Sequence, residues 1–198
     1  MKIYFGGDSF LYGYGLNRKD SLPHLMSKNT NSDFLDDSQS ESSNKLIYLR
    51  AINNLMSVDS CDFYFIMWSR GIDRRFEKIL DSDLSERWVN IIPHPDHHKN
   101  DKIRNDISTF IGTHLTSEES SFLNTLVDIV SLQELFKLNN KKYLFTFAND
   151  IFFDSYSKSY ASITTDPLLV ILGTSKLIDA DTGFMTISCL PSPSTCNE

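Results

Sequence analysis

The sequence has no cysteine framework. Its three cysteines, Cys61, Cys189 and Cys196, are odd in number and lack Cys-x-x-Cys spacing. That argues against a disulfide scaffold and fits a reducing compartment. No run of 18 apolar residues is present, so no transmembrane helix is expected. Basic residues are in deficit, with 19 Lys and Arg against 26 Asp and Glu for a net charge of −7. A duplex nucleic-acid binder would want a basic stripe, so nucleic acid is not an expected partner. The opening Met1-Lys2-Ile3-Tyr4-Phe5-Gly6-Gly7 lacks the charged and then long apolar stretch of an export signal. A cytoplasmic location is therefore expected. No internal repeat and no linker-like shift in composition appears. No cofactor is expected, and the oligomeric state is not legible.

What is present is enough for one packed core: 198 residues, 40% of them hydrophobic. Lys2 to Phe5 reads as a short strand ending at Gly6-Gly7. Residues 7–21 read as loop, with Gly13 and Gly15 allowing unusual backbone angles. Pro23 to Ser27 opens a short helix. Residues 29–43 are polar and acidic, a loop with a brief strand at Asp33 to Leu35. Ser43 reads as a helix cap, and apolar residues three or four apart from Asn44 to Met56 give the helix. Cys61 to Trp68 is almost unbroken in its apolar character, as suits a parallel strand buried on both faces. Residues 69–115 read as irregular. Thr116 and Glu119 have capping-box spacing ahead of a long helix to Leu138, and Lys142 to Phe147 is the next strand. Leu168 to Leu172 is apolar and fits either a strand or a buried helix. Alternating strands and helices imply an α/β, three-layer, doubly wound (flavodoxin-like) parallel sheet with helices on both faces.

In such a sheet, ligands bind beyond the carboxyl ends of the strands, and the first strand delivers Gly7-Asp8-Ser9-Phe10 there. A serine in that place can attack a carbonyl if a base takes its proton, and backbone N–H groups of the adjoining turns can hold the oxyanion. Gly-Asp-Ser is also ordinary turn chemistry, in which Asp8 or Ser9 caps the next segment.

Residues Lys2 to Phe10 resemble the first block of the SGNH (GDSL-type) hydrolases, whose nucleophile is the serine of Gly-Asp-Ser. The longer run Gly7-Asp8-Ser9-Phe10-Leu11-Tyr12-Gly13-Tyr14-Gly15-Leu16 is similar to the opening of an SGNH-like subgroup common among bacteriophage proteins. Ser42-Ser43-Asn44, before Ile47 and Arg50, resembles that subgroup's second block. Phe63 to Trp68 with Ser69, then Arg74, Arg75 and Glu77, resembles its third. The likeness covers residues 1–77 and is vague beyond. It implies one SGNH-like domain over residues 1–198, lacking its final C-terminal element, in the host cytoplasm or a virion if phage-derived. It also implies a serine esterase acting on a small acyl or acetyl ester of a glycan or lipid. Ser9 and Asp8 are then the catalytic candidates, with Gly7, Ser42, Ser43, Asn44, Ser69 and Arg74 as the oxyanion and substrate-binding set.

The sequence departs from that pattern in three places. The second block, around Glu41 and Ser42, has no glycine, although any non-proline residue still offers an N–H. The third block has no asparagine, which leaves Ser69 or Arg70 to substitute. The family's late Asp-x-x-His block, source of its catalytic acid and base, is not found. The five histidines are His24, His94, His97, His98 and His114. Three positions before them stand Ser21, Ile91, His94, Pro95 and Ile111. A serine without a base is a poor nucleophile, so a non-catalytic binding or structural module is the competing expectation.

Pro93-His94-Pro95-Asp96-His97-His98 contains metal-ligating residue types. Adjacent histidines in a proline-bounded loop rarely face one ion, so the segment reads as a solvated loop and no metal is expected. A replacement base from His97 or His98 folded over Ser9 is the less favoured alternative. Arg74, Arg75 and Glu77 read equally as an anion clamp or a surface ion-pair cluster. Trp68 reads as packing.

Overall fold

A computed structural model describes residues 1–69, 74–81, 83, 85–94, 97–115, 118–148 and 187–188. The main sheet is built from β1 (Lys2–Gly6), β2 (Asp33–Asp36), β3 (Phe63–Trp68), β6 (Lys142–Phe147) and β7 (Ile187–Ser188), in the order β2-β1-β3-β6-β7. The first four strands are parallel, with Ile3 opposite both Phe34 and Phe63, and Phe65 opposite Leu144. β7 runs antiparallel against β6. The order is that of a doubly wound sheet, with β1 and β3 at its centre.

Helices cover both faces. On one face, α3 (Asn44–Leu55) and α5 (Glu118–Leu138) pack with Tyr4, Tyr64, Ile66, Trp68 and Phe145 around the fully buried Phe136. Burial raises the Tyr64 hydroxyl pKa to about 12. It raises that of Tyr4 further still, with the Asp37 carboxylate at 3.0 Å adding to the effect. On the other face, α1 (Ser9–Tyr12) and α2 (Leu22–Thr30) bring Leu11 and Met26 onto Ile3, Phe5 and Phe65. The central strands are therefore apolar on both sides, as their sequences require.

Two differences from the sequence expectation matter. Residues 7–21 contain the one-turn α1 and a 3-10 turn at Arg18–Asp20. Residues 69–115 are not irregular. They hold an antiparallel hairpin, β4 (Arg75–Leu80) with β5 (Glu86–Ile91), and α4 (Lys102–His114). Ile79, Val89 and Ile91 bury one hairpin face against Ile103, Ile107 and Ile111 of α4. The sequence does not announce this small core, because each six-residue strand mixes three apolar with three polar or charged residues without strict alternation, and its partner helix lies across a polar loop. The Thr116 cap, Arg70 and the segment Leu168 to Leu172 lie outside the described residues.

Candidate active site

β1 delivers the chain to the carboxyl rim between its neighbours β2 and β3. Gly7 is glycine by necessity: a Cβ there would sit 2.9 Å from Leu11 Cβ and 3.1 Å from the Met67 carbonyl oxygen. Asp8 follows, 1% exposed. Its Oδ1 caps α1 by accepting the Phe10 N–H at 3.1 Å. Its Oδ2 accepts the Ser69 hydroxyl at 2.8 Å. Gly13, in the left-handed conformation at φ 76°, closes the turn. Ser9 is thus the first residue of α1, half-buried, and its hydroxyl has no hydrogen-bond partner among the described residues.

A second loop, residues 37–43, lies alongside. The Asp37 N–H donates to Phe5 O at 2.9 Å, and the Gln39 N–H to Gly7 O at 3.1 Å. Arg50 on α3 braces this loop from behind, donating to Asp37 O and, at 2.6 Å, to Gln39 Oε1. Glu41 adopts φ 64°, the left-handed region that glycine enters without strain. The resemblance placed its missing glycine around Glu41 and Ser42, and here Glu41 enters that region while carrying a Cβ. Ser42 is 1% exposed and its hydroxyl is unpartnered. Ser43 caps α3 by accepting the Leu46 N–H at 3.2 Å, and its own N–H donates to Asn90 Oδ1 at 3.3 Å.

Asn44, 3% exposed, knits these loops together. Its Oδ1 accepts the Ser69 N–H at 2.7 Å. Its Nδ2 donates to Ser69 O and to Thr125 Oγ1, each at 3.2 Å. Arg74 reaches the Ser69 hydroxyl at 3.4 Å. Asp8, Ser69, Asn44 and Thr125 therefore form one buried chain of hydrogen bonds joining β1, β3, α3 and α5. Beside it a cleft of about 400 Å³ opens, lined by Asn44, Arg74, Arg75, Phe76, Glu77 and Asn124 among others. Ser9 does not line this cleft, which lies toward α3 and α5. The Arg75 guanidinium donates to Leu115 O at 2.9 Å, and neither Arg74 nor Arg75 pairs with a carboxylate among the described residues. On the cleft wall Lys45 pairs with Asp128 at 2.5 Å. Burial holds the Asp128 carboxyl above its usual range against the pull of that lysine.

The histidines stand elsewhere. His24 meets Ser21 Oγ at 3.1 Å, and His114 lies against Phe110 at the end of α4. His97 faces Glu41 at 3.5 Å. His98 is 7% exposed, and its Nε2 accepts the Ile92 N–H at 3.2 Å. Burial, then the nearby Arg104 and His97, lower its pKa. The expected solvated loop is therefore anchored at His98. No histidine makes a recorded contact with Ser9. Asn90 and Thr125, which tie the site to the hairpin and to α5, were not foreseen. Both are single polar residues within a strand and a helix, with no spacing signal of their own.

No family model matches this chain, and no curated protein matches it. Solved structures of similar shape include AlinE4, an SGNH-hydrolase family esterase, at 14% identity and TM-score 0.42 over 73% of this chain. The chain spans only 57% of the length of AlinE4. A lipolytic protein of the G-D-S-L family from Desulfitobacterium hafniense DCB-2 is similar at 12% identity and TM-score 0.47, covering 91% of this chain and 81% of its own. The psychrotrophic esterase EstA from Pseudoalteromonas sp. is similar at 13% and 0.43, covering 91% and 85%. The resemblances are thus to SGNH- and GDSL-type esterases and lipolytic proteins. Among the described residues no helix is long and apolar enough to cross a membrane.

Proposed function

We propose that this chain is a serine ester hydrolase of the SGNH type, with Ser9 as nucleophile toward a small acyl or acetyl ester. The observation that carries the reading is the placement of Ser9: just past a central parallel strand, first residue of α1, half-buried, its hydroxyl without a hydrogen-bond partner among the described residues. Ser9 Oγ attacks the ester carbonyl carbon and forms a C–O bond as its proton passes to a solvent water, which returns a proton to the departing alkoxide. The developing oxyanion is met by the Ser9 N–H and the Glu41 N–H, neither of which has an acceptor among the described residues. Collapse expels the alcohol, and water releases the acid from the acyl-serine. Preorganised N–H groups of this kind are each worth on the order of 10²–10³ in rate.

The proton acceptor is the weak part of the machinery, since the histidines are committed elsewhere. A serine site stripped of its base retains on the order of 10³–10⁴ over water from the oxyanion hole and binding. The same observation favours a second reading, a binding module on an SGNH-like scaffold. A fluorophosphonate probe separates the two. Labelling of wild-type protein that is lost in Ser9→Ala, together with p-nitrophenyl acetate hydrolysis lost in the same variant, is the expected result. Wild-type protein that stays unlabelled and no faster than Ser9→Ala ends the hydrolase reading.

A further inference from the structure

The β4–β5 hairpin has two unlike faces. One is buried on α4. On the other, alternation places Phe76 and Lys78 of β4 beside Asn90 and Trp88 of β5. Phe76 and Trp88 stack with ring centroids 5.1 Å apart and planes 19° from parallel. Trp88 is nevertheless 59% exposed, so its outer face is open. This face is turned toward the parallel sheet's rim, because Asn90 accepts the N–H of Ser43 at the start of α3. Phe76 also lines the cleft, where Asn124 and Arg74 bring flat amide and guanidinium groups.

An exposed, rigid aromatic pair next to a polar cleft suits one ligand chemistry well. A pyranose ring with equatorial hydroxyls shows a flat array of C–H bonds on its face, which complements the electron-rich face of an indole. Its hydroxyls around the edge need planar, bidentate partners, which amide and guanidinium groups supply. An acyl chain would want a continuous apolar wall. Here the ion pair of Lys78 with Glu86, together with Asn90, interrupts the apolar surface.

We propose that Phe76 and Trp88 form a platform for a glycan chain of β-linked, equatorially substituted pyranoses, with a neighbouring sugar unit entering the cleft beside Arg74 and Asn124. The idea that this glycan carries the ester to be cleaved rests on the hydrolase reading; the binding itself does not. Arg74 links the two, since it lines the cleft and contacts Ser69, whose hydroxyl is held by Asp8 next to Ser9.

The test is calorimetric titration of the full chain with xylohexaose and, separately, with the hexamer of β-1,4-linked N-acetylglucosamine. Ser9→Ala protein is used alongside wild type, so that turnover plays no part. Saturable binding of either sugar is expected, weakened at least about tenfold in Trp88→Ala and held within about threefold in Trp88→Phe. Phe110→Ala, which removes an exposed aromatic on α4, should bind as wild type. If neither hexasaccharide binds at millimolar concentration, or if Trp88→Ala binds as tightly as wild type, the platform is refuted. Sugar binding through Trp88 in a protein whose Ser9 resists the fluorophosphonate probe would sustain the platform and remove only the hydrolase reading.

Discussion

The hydroxyl of Ser69 donates to Asp8 Oδ2 at 2.8 Å, although the two residues lie 61 positions apart. One sits just beyond β1 and the other just beyond β3, so this bond fixes the relative height of the two loops at the rim. Both groups are buried, 1% exposed for Asp8 and 0% for Ser69. In Asp8→Ala the Phe10 N–H loses its cap and the Ser69 hydroxyl loses its acceptor. Hydrogen bonds to charged groups contribute about 1.5–3 kcal/mol each, so losing the two predicts a loss of about 3–6 kcal/mol in urea unfolding. A variant within 0.5 kcal/mol of wild type would show that Asp8 does not hold the loop.

Asn44 should be as intolerant, for a different reason. It satisfies the buried N–H and C=O of Ser69 together. Asn44→Leu fills the space and strands both groups, at about 1–3 kcal/mol for each. Asn44→Asp keeps the acceptor for the Ser69 N–H and loses the two donors. Chemical denaturation should therefore rank wild type above both variants by at least about 2 kcal/mol.

Glu41 gives a prediction of opposite sign. At φ 64° a residue with a Cβ is strained by about 1 kcal/mol or more. Its carboxylate contacts to His97 and Arg104, at 3.5 and 3.9 Å, are half-exposed and weak. Glu41→Gly should therefore be more stable than Glu41→Ala by about 1 kcal/mol, read from paired melting curves. Equal stability of the two would mean that the left-handed turn is not maintained in solution.

His98 makes the fold sensitive to mild acid. Its imidazole is neutral while it accepts the Ile92 N–H, and its folded pKa lies below the ordinary value. The unfolded chain then binds the proton more readily than the native one, so stability rises with pH in this window. Stability is fully present above about 6.5 and is lost as pH falls from there toward the lowered folded value. His98→Gln, which cannot titrate, should flatten this part of a stability-against-pH curve. An unchanged slope would place the titration elsewhere.

The doubly wound parallel sheet was legible because the central strands bury both faces and so show unbroken apolar runs, as Phe63 to Trp68 does. The Ser43 cap and the position of Ser9 at the end of β1 were legible through local chemistry. The hairpin was not, because Ile79, Val89 and Ile91 gain their burial only from α4, whose apolar residues lie beyond a histidine-rich loop. The ties from Asn44 to Ser69 and Thr125 span 25 and 81 positions. Nothing in the local sequence of an asparagine announces such partners. Glu41 concealed a glycine conformation behind a charged side chain.

The outer edge of the sheet at β2 is four residues long, with Asp33 exposed at one end and Asp36 paired with Arg18 at 2.6 Å at the other. An edge strand of that length, unpaired on its outer side among the described residues and carrying a free carboxylate at one end, is a poor template for a strand from a second molecule. Pairing of a second strand along this border would desolvate the exposed Asp33 carboxylate, so this short rim shields the more apolar strands behind it.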